Sequence, residues 1–321
     1  MNGASSPGTR TVLLIALLCL IWGSTWIVIQ GGLRDLPPFT SAAARFLVAA
    51  AAMSVVAHFL HRREGGGRPP WKLSLALGGL NFGTSYGIVY WAETRLPSSL
   101  VSVLWSVFPM LTAICGHLYL PAERLRGRQW AGFAVGFLGV ALLFATDLRG
   151  IGPGAVPAGA ILLVSPIVSV VGTTVVKHDG AHVSSVLVNR NAMWIGAAIL
   201  CAAAWIFERG APVEWTGAAI ASVLYLALAG TVVTFSLYFW LLRHVPANRM
   251  SLISYVTPAV ALLLGGLVGK EPITLWTLSG SGLILTGVGL VVRGGRSETP
   301  VRQRVAPADL STEQDPVSPG D

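Results

Sequence analysis

The sequence predicts an all-α integral membrane protein, in which ten transmembrane helices form two five-helix repeats of inverted topology. Three observations predict this fold class: the scarcity of charge, the run of long apolar segments, and a repeat that relates the two halves. Of the 321 residues, 53% are apolar and only 11% are charged, and the mean hydropathy is +0.67. Because a soluble domain carries roughly 25% charged residues, this composition excludes a soluble globular enzyme and a disordered or fibrous protein.

Ten apolar segments follow one another along the chain, each long enough for a helix that crosses a bilayer. Such a helix needs about 20 apolar residues, whereas the strands of membrane barrels are shorter and alternate in polarity. The segments are residues 11–32, 38–60, 72–92, 97–119, 129–146, 155–176, 183–207, 216–241, 247–269 and 275–293. Outside them lie a polar start, 1–10, and a tail, 294–321, which is predicted to be disordered and cytoplasmic.

The basic residues between these segments predict the orientation. If the start, the tail and the even-numbered loops share one side, that side holds fifteen Lys and Arg residues and the other side holds five. The positive-inside rule therefore places both termini in the cytoplasm of a cell whose inner (plasma) membrane holds the protein. The net charge of +8 accordingly indicates topology and not a nucleic-acid partner. The first segment is long for a signal peptide and is interpreted as an uncleaved span.

The second half of the sequence repeats the first at an offset of about 149 residues. The matching pairs are Trp91 and Trp240, Pro97 and Pro246, Ser102 and Ser251, Pro109 and Pro258, and, after a one-residue gap, Glu123 and Glu271. Residues 11–146 and 155–293 are therefore predicted to be two copies of one five-helix unit. Because five is odd, the second copy must enter the membrane in the opposite sense, an architecture that recurs in secondary transporters.

Several short motifs follow one another in a fixed order in the first half, and the second half repeats part of this set. They are Trp22-Gly23-Ser24, the stretch 45–50 (Arg-Phe-Leu-Val-Ala-Ala), Pro109, Glu123-Arg124-Leu125 with Gly132 and Gly139, and, in the second half, Pro258, Glu271 and Gly287. Over residues 11–293 this ordered set resembles the EamA-type branch of the drug/metabolite transporter superfamily. The aromatic-rich spans are most similar to those of the aromatic amino acid exporter group.

The resemblance implies a carrier that works by alternating access around a central cavity. Segments one, three, four, six, eight and nine would line this cavity. The implied activity is export of small metabolites, most of all amino acids with aromatic or apolar side chains. The implied partners are that small-molecule substrate and the lipid bilayer, with the chain acting as a monomer or weak homo-oligomer. No cofactor and no metal are expected.

Three positions depart from the pattern of the resembled family. Ala122 precedes the first Glu in place of the usual Gly, and Lys270 stands between Gly269 and the second Glu. The sixth segment carries Ser165-Pro166 in place of a Trp-Gly pair. These departures loosen the symmetry between the halves without disturbing the family resemblance.

Polar and aromatic side chains recur at helical spacing on the segments assigned to the cavity. Hydroxyls suit the charged ends of a zwitterion, and aromatic rings suit its apolar side chain. The expected substrate-binding residues are Trp22, Ser24, Asn81, Ser85, Tyr86, Tyr90, Ser102, Trp105, Ser165, Thr173, Tyr238 and Tyr255. The alternative is structural, because a membrane Ser often bonds to its own helix and an edge aromatic often anchors at the interface.

Prolines and glycines mark breaks and close approaches. Pro109, Pro166 and Pro258 lie deep in their segments, where each removes a backbone donor. A hinge or cavity role and a plain kink both remain open for them. Tight helix packing is expected at Gly132, Gly136, Gly280, Gly282, Gly287 and Gly289.

Charge deep inside the segments is confined to Arg45 and Arg190, which correspond at an offset of 145 residues. A structural role is favoured for both, with binding of a substrate carboxylate as the alternative. No Asp or Glu lies deep in a segment, and Glu93 and Glu271 are among the acids near segment ends. We therefore expect facilitative transport, with a proton-coupled antiporter as the alternative.

Other classes of function fit the sequence less well. An intramembrane enzyme would need a nucleophile and base, paired aspartates or a metal-binding set within the spans. A channel would usually show a filter sequence or a ring of charge. Neither pattern is present in the sequence, so an enzyme, a channel or a receptor is not expected.

Overall fold

The protein is helical throughout the part of the chain that can be described. The computed structural model describes residues 9–119, 125–180, 182–244 and 253–294. Within these ranges the sole strand-type pairing is an isolated bridge between Gly67 and Val183. The predicted all-α fold class is confirmed for these ranges, whereas the expectation of a disordered tail concerns residues outside them.

Five long helices lie in the described part of the first half, and prolines precede three of them. The helices are α1 (Thr9–Gly32), α2 (Pro38–Glu64), α3 (Trp71–Ala76, Leu77–Ser85 and Tyr86–Glu93), α4 (Ser98–Trp105 and Phe108–Tyr119) and α5 (Gly127–Ala145). Pro37, Pro70 and Pro97 stand just before α2, α3 and α4. A proline suits the start of a helix because its φ is preset and no backbone donor is needed there. A short helix, Asp147–Ile151, follows α5.

Among the described residues the second half contains five further helices, and hydroxyl side chains cap two of them. The helices are α6 (Ala155–Asp179), α7 (Ser185–Phe207), α8 (Gly217–Ala227, Leu228–Val233 and Thr234–His244), α9 (Ile253–Leu267) and α10 (Leu275–Gly294). The Ser184 hydroxyl accepts from the backbone of Leu187 at 3.3 Å, and that of Thr216 from Ala219 at 3.1 Å. These side chains satisfy backbone donors that the first turn of a helix leaves open.

Each of the ten predicted apolar segments coincides with one of these helices. Eight of them contain a stretch that is long and apolar enough to cross a membrane, namely α1, α2, α4, α5, α6, α7, α8 and α10. In the described part of α9 the apolar stretch is shorter, Val256–Leu267. Membrane crossing by α3 and α9, and hence the full count of ten spans, stays a prediction.

The three prolines occupy different places in their helices. Pro166 and Pro258 lie inside continuous helices, α6 and α9. Pro109 is the second residue of Phe108–Tyr119, directly after α4 is interrupted at 106–107. A proline near a helix start leaves no intrahelical hydrogen bond unmade, so Pro109 marks a break in α4, whereas the other two prolines remove a donor within a helix.

Helices α2 and α7, which correspond in the repeat, run antiparallel and cap one another. Glu208 at the end of α7 accepts from the backbone N–H of Phe39 at 2.6 Å and of Thr40 at 2.8 Å, at the start of α2. In return, Glu64 at the end of α2 accepts from the Ser184 hydroxyl at 2.7 Å and from the Val186 N–H at 3.1 Å, at the start of α7. Each acid stabilises the positive end of the other helix.

Helices α5 and α10, also equivalent in the repeat, cross through glycines. A Cβ on Gly132 would stand 2.8 Å from the carbonyl oxygen of Gly287, and one on Gly139 would stand 2.7 Å from that of Gly280. Because the early glycine of one helix meets the late glycine of the other, the two helices are antiparallel. The expected close packing is therefore observed at Gly132, Gly280 and Gly287, with backbone against backbone, and Gly139 shares it. The same expectation is wrong for Gly282, because nothing lies within 4 Å of its Cβ position, on a face of α10 that no described helix covers.

Two π-helical stretches interrupt equivalent helices. Leu77–Ser85 lies within α3 and Leu228–Val233 within α8. The offset that aligns the two halves superimposes these stretches. A π-helical turn adds a residue to the α-helical repeat and redirects the side chains after it. These stretches carry Asn81, Ser85 and Thr231 into the site described below.

The contact between α5 and α10 gives a direct test of this packing. In Gly287→Ala, the new Cβ would lie 2.6 Å from the backbone of both Gly132 and Gly136, which cannot yield as a side chain could. We expect a loss of about 1–3 kcal/mol, as for other overpacked sites. Gly282→Ala on the same helix is the control, because nothing lies within 4 Å of its Cβ. Thermal unfolding in detergent should show a lower midpoint for Gly287→Ala alone, and equal midpoints would contradict the assigned crossing.

Candidate functional site between the two halves

A buried arginine lies where the two halves meet. Arg45 on α2 is 1% exposed. Its Nε and Nη2 donate to the Thr231 hydroxyl on α8 at 3.2 and 3.1 Å, and its Nη1 donates to the Tyr90 hydroxyl on α3 at 3.4 Å. The guanidinium carbon also lies 4.9 Å from the ring centroid of Tyr86 and 5.4 Å from that of Phe46. We call these five residues the arginine cluster.

The groups that contact the charged guanidinium of Arg45 are all neutral. Among the described residues no carboxylate lies within salt-bridge distance of its guanidinium. Two hydroxyls and two ring faces stabilise it through hydrogen bonds and cation–π attraction. An ionised side chain at this depth is costly and is usually paired. The cluster therefore contains a buried positive charge with no carboxylate partner among the described residues.

A hydrogen bond to the backbone of its own helix orients the Thr231 hydroxyl as an acceptor for Arg45. Its hydroxyl donates to the carbonyl of Leu226, five residues earlier, at 2.8 Å. That donation is possible because the π-helical turn of α8 places residue 226 within reach, and it leaves the oxygen lone pairs of Thr231 facing Arg45. The side chain thus connects the π-helical turn of the second half to the arginine of the first.

Arg190 differs from Arg45 although the repeat makes the two equivalent. It is half-buried, and its Nε and Nη2 donate to the side chain of the adjacent Asn191 at 3.1 and 2.7 Å. Asn191 in turn donates to Ser74 at 3.5 Å. These contacts are local. Of the two arginines, therefore, Arg45 is the one buried between the halves.

A second cluster joins α3, α4 and α6. The hydroxyls of Ser85 and Ser165 lie 2.8 Å apart, and the Trp105 indole N–H donates to the Ser165 hydroxyl at 3.1 Å. Ser165 also donates to the Ser85 carbonyl at 3.1 Å. We call these three residues the serine–indole cluster. Three predicted site residues, two from the first half and one from the second, therefore lie together.

Aromatic rings extend from these two clusters. The Trp22 ring lies 5.4 Å from that of Tyr238 and 6.1 Å from that of Phe235. Phe235 meets Phe82 edge-on at 5.8 Å, and Phe82 stacks on Tyr86 at 6.3 Å. The rings of α1, α3 and α8 thus form an aromatic row, defined as Trp22, Tyr238, Phe235 and Phe82, that leads to the arginine cluster.

One indole beside the serine–indole cluster has an unused donor. The ring of Trp26 lies 6.2 Å from that of Trp105, which itself stacks on Phe108 at 4.9 Å. The buried Nε1 of Trp26 has no acceptor among the described residues. A buried donor without a partner costs roughly 1–3 kcal/mol, and a bound acceptor would remove that cost.

Some of the remaining predicted site residues form hydrogen bonds to other helices, and others form them within their own helix. Ser24 shares a hydrogen bond of 2.6 Å with the Tyr225 hydroxyl, and Asn81 accepts one from Ser169. By contrast, Ser102 and Thr173 donate to carbonyls of their own helices. For these two residues the structural alternative accounts for the hydroxyl. The side chain of Tyr255 lies outside the described residues.

Sequence patterns missed several partners in this region. Phe82, Phe235 and Tyr225 are apolar or aromatic residues without motif context, and their roles emerge from contacts across helices. A signal was present for Phe235, because the repeat offset aligns it with Tyr86. The burial of Glu93 at 3% exposure was also not anticipated from its place at a segment end.

Taken together, the fold and these clusters define a duplicated, multi-pass helical membrane protein with polar and aromatic groups gathered between its halves. The model of the EamA-like transporter family matches the chain twice, at residues 9–145 and 157–293. The chain belongs to the EamA-like transporter family. The double match confirms the predicted duplication and the family resemblance.

Individual relatives agree with this assignment over almost the whole chain. The "Uncharacterized inner membrane transporter YedA" of Escherichia coli K12 is 30% identical over 308 residues, 92% of this chain and 95% of the relative. The "Uncharacterized transporter YoaV" of Bacillus subtilis is 26% identical, covering 87% and 95%. The "Probable amino-acid metabolite efflux pump" of Escherichia coli K12 is 28% identical, covering 88% and 95%. Each is a protein to which this chain is similar.

A solved crystal structure shares the fold. It aligns with a TM-score of 0.63 at 20% sequence identity and covers 88% of this chain and 96% of the other. At this identity the likeness concerns the fold alone.

The arginine cluster gives a prediction of stability. Thr231→Val keeps the side-chain shape but removes the acceptor of two Arg45 donors, so we expect a loss of about 1–3 kcal/mol. The control is Thr234→Val, because the buried Thr234 hydroxyl donates only to its own helix, at 3.4 Å from the Thr231 carbonyl. Thermal unfolding in detergent measures both variants. If Thr234→Val lowered the midpoint as much as Thr231→Val, the assigned acceptor role would be wrong.

Proposed function

We propose that the protein exports small metabolites, most of all amino acids with aromatic or apolar side chains, through a path between its two halves. The observation that carries this proposal is the buried cation of Arg45, which lacks a carboxylate partner and faces hydroxyls and aromatic rings from both halves. A substrate carboxylate complements the guanidinium, and the aromatic row complements an apolar side chain. The relative named as a probable amino-acid metabolite efflux pump supports the same substrate class.

Specific residues would meet specific parts of such a substrate. Arg45 would attract the carboxylate, and the free indole donor of Trp26 would bind one of its oxygens. Tyr86 and Trp105 would pack against the side chain, because both are half-buried and belong to the two clusters that join the halves. The hydroxyls of Ser85 and Ser165, which hold Trp105 in place, would fix the position of its indole.

Alternating access would follow from the duplicated architecture. Equivalent helices α2 and α7 run antiparallel, as do α5 and α10, and this relation supports an inverted repeat. Two halves of opposite orientation can exchange conformations, so that a state open to one side has a counterpart open to the other. The interruption of α4 at Pro109 and the internal prolines Pro166 and Pro258 are the proposed hinges of this exchange.

The proposed orientation in the membrane rests on the loop charges, and the proposed inner-membrane location rests on a similar protein. The excess of basic residues in the even-numbered loops favours cytoplasmic termini, and a relative is named as an inner membrane transporter.

We expect no catalysis, because the side chains gathered between the halves are arranged for binding. Without coupling to a second solute such a carrier is facilitative. A proton-coupled antiporter is the second candidate, and the burial of Glu93 favours it.

A competition panel tests the proposed activity. The purified chain is reconstituted in proteoliposomes, and uptake of labelled L-phenylalanine is measured against each of the twenty amino acids, polyamines, sugars and nucleosides. We expect uptake above that of empty vesicles and competition by aromatic and large apolar amino acids. Competition by sugars or polyamines alone would contradict the proposed substrate class.

Replacing the lining aromatics tests the site. Trp105→Ala and Tyr86→Ala should each reduce L-phenylalanine uptake by about tenfold or more, because a buried aromatic contact contributes on the order of 1–3 kcal/mol and 1.4 kcal/mol is a factor of ten. Trp194→Ala is the control, because Trp194 is 44% exposed and donates to Ser54, away from the clusters. Normal uptake by both Trp105→Ala and Tyr86→Ala, at matched protein levels, would refute the assignment.

A further inference from the structure

Glu93, the last residue of α3, is buried without any hydrogen-bond donor. It is 3% exposed, and neither of its carboxylate oxygens has a partner among the described residues. The nearby Glu271 differs, because its carboxylate accepts from the Ser98 N–H at 2.8 Å and from the Ser99 N–H at 3.0 Å. An ionised carboxylate in such a place would be far more costly than a neutral acid. The geometry therefore favours a Glu93 that carries a proton in this conformation.

The surroundings of Glu93 give that proton a route to water. Glu93 lines a cleft of about 380 Å³ between the ends of α1, α3 and the α9–α10 connection. Gln30 faces this cleft from α1, Arg95 from the α3–α4 connection, and Lys270 and Glu271 from the α9–α10 connection. The cleft lies on the side that the sequence predicts to be outside the cytoplasm. A proton on Glu93 thus stands close to an aqueous compartment while the carboxyl group itself is enclosed.

Glu93 also lies within electrostatic reach of the arginine cluster. Arg45 from α2 and Glu271 from the second half act on it, and it acts in turn on Tyr90, one helical turn earlier on α3. Tyr90 accepts a hydrogen bond from Arg45 at 3.4 Å, so the residue one helical turn before Glu93 contacts the cation directly. Arg45 lacks a carboxylate partner, and Glu93 lacks a cationic or donor partner. These two unmet requirements match the two charged ends of a zwitterion.

We propose that Glu93 binds a proton when the carrier is empty and exchanges it for the ammonium group of a zwitterionic substrate whose carboxylate is attracted by Arg45. This inference rests on the proposed function and adds a coupling ion to it. In the exchange, the O–H bond of the Glu93 carboxyl group breaks and the proton leaves to water through the cleft. The resulting carboxylate pairs with the substrate ammonium, and no oxidation or reduction takes place.

The exchange has a consequence for energy coupling. A carrier that must hold either a proton or a substrate ammonium at Glu93 moves the two in opposite directions. An inward proton gradient would then drive export. The expectation of facilitative transport rested on acids lying near segment ends. Glu93 does lie at an end, but α1, α2 and the second half enclose it, and this enclosure supplies the buried acid that proton coupling needs.

Carbodiimide labelling tests the protonation of Glu93 without any substrate. Dicyclohexylcarbodiimide modifies protonated carboxyl groups in apolar surroundings, and mass spectrometry identifies the modified residue in the full chain. We expect modification of Glu93 that declines as pH rises and decreases when L-phenylalanine is added. Glu271 and Glu208, which accept hydrogen bonds from helix N-termini, should remain unmodified. An unmodified Glu93, or equal modification of all three acids, would overturn the proposal.

Proton release tests the exchange step. L-Phenylalanine is added to the purified protein in weakly buffered detergent solution containing a pH-sensitive dye. We expect release of about one proton for each phenylalanine bound, because the two compete for one carboxyl group. The analogue 3-phenylpropionate, which has the carboxylate but no ammonium, should release none. Equal release by both compounds would show that the ammonium is not the exchanging group.

Variants separate this inference from the proposed function. Glu93→Gln keeps the shape of the protonated acid but cannot release a proton, so it should lose proton release and accumulation driven by a proton gradient. Glu93→Asp should retain both in part, and the exposed Glu214→Gln is the control. Wild-type transport with unchanged proton release in Glu93→Gln would overturn the inference while the export function stands. Absence of phenylalanine transport and binding in the wild type would overturn both, even if Glu93 were labelled.

Discussion

A lipid bilayer offers no hydrogen-bond partner, so each polar group inside this protein must be satisfied by another helix or remain unsatisfied at a cost. That constraint organises the contact between the two halves. Glu208 and Glu64 close the ends of α2 and α7 reciprocally, and Glu271 of the second half closes the start of α4 in the first. These carboxylates replace water at helix N-termini. The halves are thereby joined at the ends of helices, away from the centre.

The centre of the molecule obeys the same constraint with different groups. The hydrogen-bond donors of Arg45 reach hydroxyls, but its charge has no carboxylate partner in the described part of the chain. Ser85, Ser165 and Trp105 satisfy one another. The indole donor of Trp26 and the carboxyl group of Glu93 have no partner among the described residues, and neither do the buried hydroxyls of Ser41, Thr257 and Ser281. Of these groups, Trp26 lies beside the serine–indole cluster and Glu93 lines the cleft at the end of α3, so a transported solute would complete the hydrogen bonding there. The apolar packing at Gly132 and Gly287, by contrast, contains no such gap.

The sequence predicted the architecture better than the site. Apolar length and the repeat offset were sufficient for the helices, because membrane helices depend on local composition that a single chain displays. The packing glycines of α5 and α10 were predicted for the same reason. The sequence did not reveal the π-helical stretches, since a π-helical turn has no distinctive residue pattern, and these stretches decide that Thr231 reaches Arg45. It also could not distinguish Arg45 from Arg190, because their difference arises from neighbours on other helices.

The central claim is that a zwitterionic substrate binds between the halves, at the groups that the protein leaves unsatisfied. The most direct test is a structure of the protein with L-phenylalanine bound, determined in lipid. The account predicts the amino acid between α1, α3, α4 and α8, with its carboxylate toward Arg45, its ammonium toward Glu93 and its ring against Trp105 or Tyr86. Phenylalanine bound at the lipid-facing surface, with Arg45 and Glu93 unchanged and out of contact, would contradict it.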